Sequence, residues 1–383
     1  MKQIKIFSLA LFLSWSGVHG QTVTVQPYLQ NPAPDGVTVM WRTAEPCYSR
    51  VEYGTDTINL KIARDVQHGI VVANNTANKI RITGLKPGQK YYYRICSEKI
   101  DSFGGYKKIF GSTYRSPFHS FTTFESKREN FIAVIFNDIH SKLPVFEKLT
   151  GLLQKIDYDF AVFNGDCFQD PSSETNELNV LSCFVDKMNG AEKPLYFLRG
   201  NHETRGAFAL GWPSLFDWEG NKPYFAFSFG DTRFVLLDNG EDKVDSSPEY
   251  SGLIDFADFR NEETVWLTKE TESEAFKQAK RRILIHHTPI YGWENKYSPG
   301  FIACKDLWEP IFRTTPFDVA ITGHLHRYTY YPKNAVGNPF PLVIGGGNTE
   351  KAATAILLEK RGNKLTIKIL WINGKEEIRL LDV

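Results

Sequence analysis

Apolar and polar positions alternate with one rhythm in the first third of the chain and another in the rest. From residue 21 to 124, short runs rich in β-branched and aromatic residues fall at 22–26, 37–42, 50–53, 69–72, 79–83, 91–96 and 119–123. Turn chemistry separates them, as at Pro34-Asp35-Gly36 and Lys86-Pro87-Gly88. About seven short strands over about a hundred residues predict an all-β sandwich. After a charged linker at 125–130, longer apolar runs at 131–136, 160–163, 195–198, 234–237, 283–285, 319–321 and 342–344 predict buried strands. Helix-period segments lie between some of them, at 144–156, 175–188 and 262–279. Strands alternating with helices predict a layered α/β domain over 131–383. Its end, 352–383, alternates like antiparallel strands with turns at Arg361-Gly362-Asn363 and Asn373-Gly374, which would complete a sheet.

The first twenty residues follow neither rhythm. Lys2 and Lys5 precede an apolar run from Ile6 to Trp15, then Ser16, Gly17, Val18, His19 and Gly20 lead to Gln21. This is the layout of a cleaved secretory leader, too short to span a bilayer, and it predicts a periplasmic or secreted protein. No later stretch is long and charge-free enough to predict a transmembrane segment. A chain of 383 residues with 42% hydrophobic content has ample core for two domains, and a net charge of +1 gives no basic footprint for nucleic acid. That total hides an asymmetry. Residues 21–124 carry 13 Lys and Arg against 7 Asp and Glu, whereas 125–383 carry 30 against 37. An acidic second domain fits cation binding and fits a solvated acidic surface equally well. The 5 cysteines form no Cys-x-x-Cys pair, so neither a zinc ribbon nor a disulfide scaffold is written here.

The chemistry lies in short clusters at strand ends. Six of the 9 histidines fall in four of them: Asp138-Ile139-His140, Gly200-Asn201-His202-Glu203, His286-His287 and Gly323-His324-Leu325-His326. A fifth cluster, Gly165-Asp166, ends a strand without histidine. Ligands gather at the carboxyl ends of strands in open α/β sheets, so these clusters should converge. Imidazole, carboxylate and an Asn carbonyl form a mixed donor set suited to Mn, Fe, Zn, Co or Ni. Asp138, His140, Asp166, Asn201, His287, His324 and His326 are seven candidate ligands. That is too many for one tetrahedral ion and right for two ions sharing a carboxylate. In Asp138-Ile139-His140 and His324-Leu325-His326 the polar residues sit at i and i+2, one face of an extended segment, with Ile139 and Leu325 turned to the core.

The ordered blocks D-x-H, G-D, G-N-H-E, H and G-H-x-H, spanning Asp138 to His326, resemble the calcineurin-like metallophosphoesterase superfamily. Leu85-Lys86-Pro87-Gly88 followed by Tyr91-Tyr92-Tyr93-Arg94 is similar to the turn and strand where fibronectin type III domains bury a tyrosine. Together the two halves resemble the purple acid phosphatase branch. The resemblance implies a fibronectin- or immunoglobulin-like sandwich followed by a metallophosphatase domain of two β-sheets flanked by helices. It also implies a small phosphate-ester substrate and two divalent transition-metal ions. One ion would be held by Asp138, His140, Asp166 and His326, the other by Asp166, Asn201, His287 and His324. Asp166 would bridge them, a metal-bridging hydroxide would attack phosphorus in line, and His202 would bind a phosphoryl oxygen or protonate the leaving alkoxide. Two departures matter. The purple enzymes have Gly where this chain has His140, and a tyrosinate ligand where it has Gln169, so two divalent ions and no charge-transfer colour are expected.

Other residues carry milder expectations. His286 should face away from His287, Cys167 should be buried as a small apolar side chain, and Cys47 and Cys96 could pair if close. Arg205 and Arg327 are candidate phosphate clamps, and the aromatics near Trp212, Trp293 and Tyr328 could wall a pocket or simply pack. The favoured function is phosphomonoester hydrolysis. A phosphodiesterase or nuclease of the same fold, or a non-catalytic surface-binding protein, would share these residues.

Overall fold

The computed structural model describes residues 23–125, 127–293 and 299–381, and only the backbone of residues 299–302. The leader-like segment lies outside the described residues. Strands Val23–Ala33, Gly36–Gly54, Lys61–Ala63, Ala73–Thr83, Lys90–Phe103, Lys108–Arg115 and His119–Thr122 form one antiparallel sheet. The sequence reads 37–42 and 50–53 as two strands, yet both belong to Gly36–Gly54. Residues 36–42 pair with Ala73–Thr83, and residues 47–54 pair with Lys90–Phe103. The register breaks between Arg42 and Cys47. Such a bulge bends and twists a strand, so a single sheet curls over a core that includes Leu29, Val39, Trp41, Val51 and Ile95. Residues 69–72 supply only Ile70–Val71, paired with Val66–Gln67 in a separate ribbon. Cys47 and Cys96 stand opposite Lys99 and Arg50, and both are free thiols.

The tyrosine-rich strand does two jobs. The Tyr91 hydroxyl accepts from the Lys86 amide at 3.0 Å, which pins the 85–88 turn to the strand that follows it. Tyr93, fully buried, donates instead to the Ala191 carbonyl of the second domain at 2.6 Å. Tyr28 does the same to Leu215 at 2.7 Å. Val25, Tyr28 and Met40 belong to the apolar cluster that fills the α/β core. The two domains therefore meet through a core-like contact.

Two six-stranded sheets build the second domain. In the first, Leu195–Leu198, Phe160–Asn164 and Phe131–Phe136 run parallel, and Thr354–Arg361, Lys364–Trp371 and Glu376–Leu381 extend it as an antiparallel meander. In the second, the order is Phe225–Phe229, Thr232–Leu237, Arg281–His286, Val319–Thr322, Leu342–Ile344 and Thr329–Tyr331, with the middle four parallel. Alternation assigns the faces. Phe131 packs edge-on against Phe229 and Phe234 of the second sheet, while Phe136 turns the other way onto Phe146. Burial on both faces explains why these strands read as continuous apolar runs.

Helices Leu143–Gly151 and Glu174–Lys187 cover the first sheet, placing Phe146 and Phe184 against Phe163. The expected helix at 262–279 is two helices, Phe256–Glu272 and Glu274–Gln278, because the Ser273 hydroxyl accepts from the Phe276 amide and starts a new helix. A further helix, Pro299–Thr314, carries Trp308 and Phe312 against the second sheet. Its internal Pro310 masked the helical period in the sequence.

Tyr93→Phe removes one buried bond across the domain contact and strands the Ala191 carbonyl. The expected loss is about 1–2 kcal/mol, read as a lower urea midpoint at unchanged slope.

Candidate metal centre

All five clusters lie just past the ends of parallel strands, three from the first sheet and two from the second. Asp138 follows Phe131–Phe136, Asp166 follows Phe160–Asn164, and Asn201 follows Leu195–Leu198. His287 follows Arg281–His286, and His324 follows Val319–Thr322. Two groups of ligating side chains result: Asp138, His140, Asp166 and His326, and Asp166, His287 and His324, with all ligating atoms of each group within 4.8 Å of one another. Asp166 is common to both. Asn201 lies beside the second group, with Oδ1 3.0 Å from His324 Nδ1.

The local backbone differs from the extended segments read in the sequence. Asp138, His140, Ser141, Asp166, His324 and His326 all have φ between 49° and 69°. Asp tolerates this left-handed region, but His and Ser seldom adopt it, at a cost on the order of 1 kcal/mol each. Backbone bonds offset the strain. Asp138, His140 and Ser141 donate to the carbonyls of Gly165, Asp166 and Cys167 at 3.1, 2.8 and 3.0 Å, carrying the strand pairing on into the loops. Ile139 is buried as expected, and Leu325 packs against the second-sheet core. Gly165 is required for space as well as for its φ of +74°: a Cβ there would stand 2.5 Å from the His287 ring.

Each carboxylate has one oxygen tied down and one aimed inward. Asp138 Oδ2 accepts from Asn137 Nδ2 at 2.5 Å and from the His324 amide at 2.7 Å, whereas its buried Oδ1 has no hydrogen-bond partner. Asp166 Oδ1 accepts from the His202 amide at 2.8 Å, and its Oδ2 lies 3.0 Å from His287 Nε2. The imidazoles are oriented the same way. His287 Nδ1 donates to the Asn164 carbonyl at 2.9 Å and His140 Nδ1 to Gln169 Oε1 at 2.7 Å, which turns each Nε2 inward. His287 Nε2 is buried without a hydrogen bond, and His140 Nε2 and His326 Nε2 sit only 2.9 Å apart. Carboxylate oxygens and imidazole nitrogens crowded onto one point, two imidazoles nitrogen to nitrogen, are the arrangement a cation satisfies, and this donor set fits two borderline transition-metal ions.

The electrostatics agree. Burial pushes the Asp138 carboxyl up, but His287, His140 and His326 outweigh it and hold it below the usual range. Burial likewise opposes ionisation of Asp166, and His287 outweighs it, leaving that carboxyl at about 2. Burial would lower His287, yet Asp166 and Asp138 raise it to about 10. The pocket draws positive charge to itself.

Sequence reasoning missed the layer behind these groups. His202 Nδ1 lies 2.8 Å from Asp170 Oδ1, and its Nε2 is 4.0 Å from Asp166 Oδ2. Gln169 Nε2 approaches His202 Nδ1 at 3.1 Å, so one amide touches both His140 and His202. Glu203, fully buried, accepts from the amides of Asp166, Phe168 and Gly200 at 2.9, 2.9 and 2.8 Å. It ties the Asp166 loop to the Asn201 loop, and burial with the nearby Asp166 charge raises it to about 7. Residues 238–242, past Thr232–Leu237, form a sixth strand-end cluster without histidine. Asp242 Oδ2 lies 3.9 Å from His324 Nε2.

The milder expectations divide. His286 faces the other way, near Trp308, with its Nδ1 on the Thr288 carbonyl, and Cys167 is buried. Arg205 is not a free clamp: it grips Glu241 through Nε and Nη2, leaving Nη1 3.3 Å from His202 Nε2. Arg327 is exposed. Trp212, Phe216 and Trp218 pack in the core, whereas Trp293 stands against the His324 ring at 4.9 Å.

The sequence profile of the calcineurin-like phosphoesterases matches residues 133–328, just over half the chain, and that of the purple acid phosphatase N-terminal domain matches residues 23–123. The chain belongs to the calcineurin-like phosphoesterase family. It is 25% identical over 162 residues to purple acid phosphatase 1 of Ipomoea batatas, covering 41% of this chain and 33% of that protein. To purple acid phosphatase 18 of Arabidopsis thaliana it is 24% identical over 179 residues, covering 42% and 38%. The match thus spans only 33% and 38% of the two curated relatives. Among solved structures, purple acid phosphatase PPD1 from yellow lupin (Lupinus luteus) seeds superposes with a TM-score of 0.67 at 15% identity, covering 94% of this chain and 74% of the other. PhoD gives 0.65 at 13% identity, covering 95% and 90%. At such identities the likeness is one of fold. Among the described residues, no helix is long and apolar enough to cross a membrane.

Glu203→Ala would leave three buried amides without an acceptor. The expected loss is about 3 kcal/mol or more, measured by chemical denaturation, with Glu203→Gln retaining part of it.

Proposed function

We propose that this chain is a periplasmic or secreted dimetal phosphoesterase that hydrolyses small phosphate esters, monoesters foremost. One observation carries the reading: the Asp166 carboxylate is common to two groups of ligating side chains, with His202 beside it. Asp138, His140, Asp166 and His326 would hold one divalent ion, and Asp166, Asn201, His287 and His324 the other, as Mn, Fe or Zn. Bound there, such ions would supply Lewis acidity and lower the pKa of water to roughly 7 in the zinc case, making hydroxide available as a nucleophile near neutral pH.

The chain's own residues do the rest. His202 serves the departing oxygen as a proton donor at Nε2, where Arg205 Nη1 stands at 3.3 Å; Asp170 on Nδ1 fixes the ring, and burial holds the imidazole below its usual range, so a proton it carries is readily given up. Gln169 stands where the purple enzymes place a tyrosinate. It is neutral and accepts from His140, so the histidine takes over the ligand position and Gln169 aims it. Secretion rests on the leader-like segment around residues 2–20, and a small ester rather than nucleic acid rests on the acidic balance of the second domain.

Protein purified without added metal should carry about two transition-metal ions per chain and no visible charge-transfer band. Asp166→Ala should lose both metal and turnover. His202→Ala should keep its metal while kcat falls by roughly 10² to 10⁴. Wild-type protein inactive on aryl monoesters and diesters with Mn, Fe or Zn supplied would overturn the proposal. Separately, Gln169→Leu should weaken metal binding about 10- to 100-fold, measured by competition with a chelator.

A further inference from the structure

A cleft of about 860 Å³ reaches two residues that touch His202. Asp170, which holds His202 Nδ1, and Arg205, whose Nη1 lies 3.3 Å from His202 Nε2, both line it. Its remaining walls come from the loop after His202 and from the long connection before helix Phe256–Glu272. Ala207, Leu210, Tyr250, Leu253, Ile254 and Phe256 make it largely apolar. Leu210 and Leu253 are 99% and 87% exposed, two large side chains that nothing among the described residues covers.

We infer that this cleft seats the alcohol portion of the substrate, and that this alcohol is neutral and apolar, an aryl or bulky alkyl group. The inference rests on the proposed role of His202. A group that protonates the departing oxygen has the rest of the alcohol one bond further on, and the cleft begins where His202 meets Asp170 and Arg205. The volume lies within the range of pockets that enclose small organic ligands.

Charge decides the class of alcohol. Each cation in the lining already faces a carboxylate: Arg199 pairs with Asp238 at 2.7 Å, Arg205 with Glu241 at 2.7 Å, and Lys243 with Asp242 at 3.0 Å. Glu249 and Asp255, also in the lining, are exposed and have no ion pair among the described residues. A second phosphate or a carboxylate on the alcohol would meet unpaired acids and no free base. A cationic alcohol gains little either: Glu249 and Asp255 are exposed, so water screens them, and the rings already face cations, with Arg199 and Arg260 5.5 Å from the Phe256 centroid and Lys243 5.9 Å from that of Tyr250. What remains is apolar contact.

The test compares kcat/KM for 1-naphthyl phosphate with that for glycerol 2-phosphate. Taking the ratio of the two, variant against wild type, cancels their different intrinsic reactivity. In the double variant Leu210→Asp/Leu253→Asp the ratio should drop about tenfold, through a higher KM for the naphthyl ester. Val265→Asp, at a 56% exposed position outside the cleft, should keep the wild-type ratio. An unchanged ratio in the double variant would overturn the inference. A titration with 1-naphthol, followed by its own fluorescence, separates this from failure of the proposed function. If the wild type hydrolyses neither ester, naphthol binding that is lost in the double variant still supports the cleft, and equal binding by both proteins overturns it.

Discussion

Asp138 and Asp166 are buried carboxylates that approach one another, and the architecture around them answers that demand. Taking a carboxylate out of water costs several kcal/mol unless charge and hydrogen bonds replace the lost solvation. Here each acid spends one oxygen on fixed donors, Asn137 and His324 for Asp138 and the His202 amide for Asp166. The other oxygen is reserved for the centre, where four imidazoles present nitrogen. Replacing Asp138 by an amide would keep the shape but remove one of the two charges, leaving Asp166 alone to hold His287 charged. The carboxylate pair is thus the origin of the site, and its cationic appetite is a property of the fold.

Convergence has a steric consequence. Five chain segments must bring side chains to one point at the ends of parallel strands about 4.8 Å apart, and three of the five do so by leaving ordinary backbone. The chain solves this with left-handed backbone at Asp138, His140, Asp166, His324 and His326, and with a glycine at 165, where any side chain would strike His287. The strain is tolerated because the 138–141 and 165–167 loops bond each other and Glu203 bonds the second of them to Gly200. Rigidity here is functional, since ligand groups held in advance need little reorganisation when they bind an ion or a substrate.

How much of this the sequence discloses depends on the kind of residue involved. Asp138, His140, Asp166, Asn201, His287, His324 and His326 were legible because histidine and aspartate at strand ends are uncommon and fell into ordered blocks. Asp170 and Asp242 were not, because a lone Asp in a loop usually caps or solvates, and only coordinates reveal an imidazole within reach. Gln169 was noticed as a missing tyrosine, but its bond to His140 depends on loop geometry that spacing cannot supply. Arg205 looked like a phosphate clamp from its distance to His202, yet the buried Glu241 that claims it lies 36 residues further on. The same limit applied to the fold. Short strands were readable from composition, but the bulge that joins 37–42 to 50–53 in one curled strand has no local signature.

The N-terminal sheet is coupled to this chemistry through packing. Tyr28 bonds Leu215, Arg42 bonds Glu174 and the Ser214 carbonyl, and Thr38 bonds Asp217. All these partners except Glu174 belong to the connection between Asn201 and Phe225–Phe229, the same connection that carries Leu210 into the cleft. Trp212 and Phe216 anchor it from beneath by packing on Phe168, two residues beyond Asp166. A long connection with so few regular elements would be free to move if it were held only at its ends. Clamped between the first domain and the core, it keeps the cleft wall and the Asn201 loop in register. The first domain therefore acts as a buttress for the active face, a role that follows from the shared apolar cluster and requires no external partner.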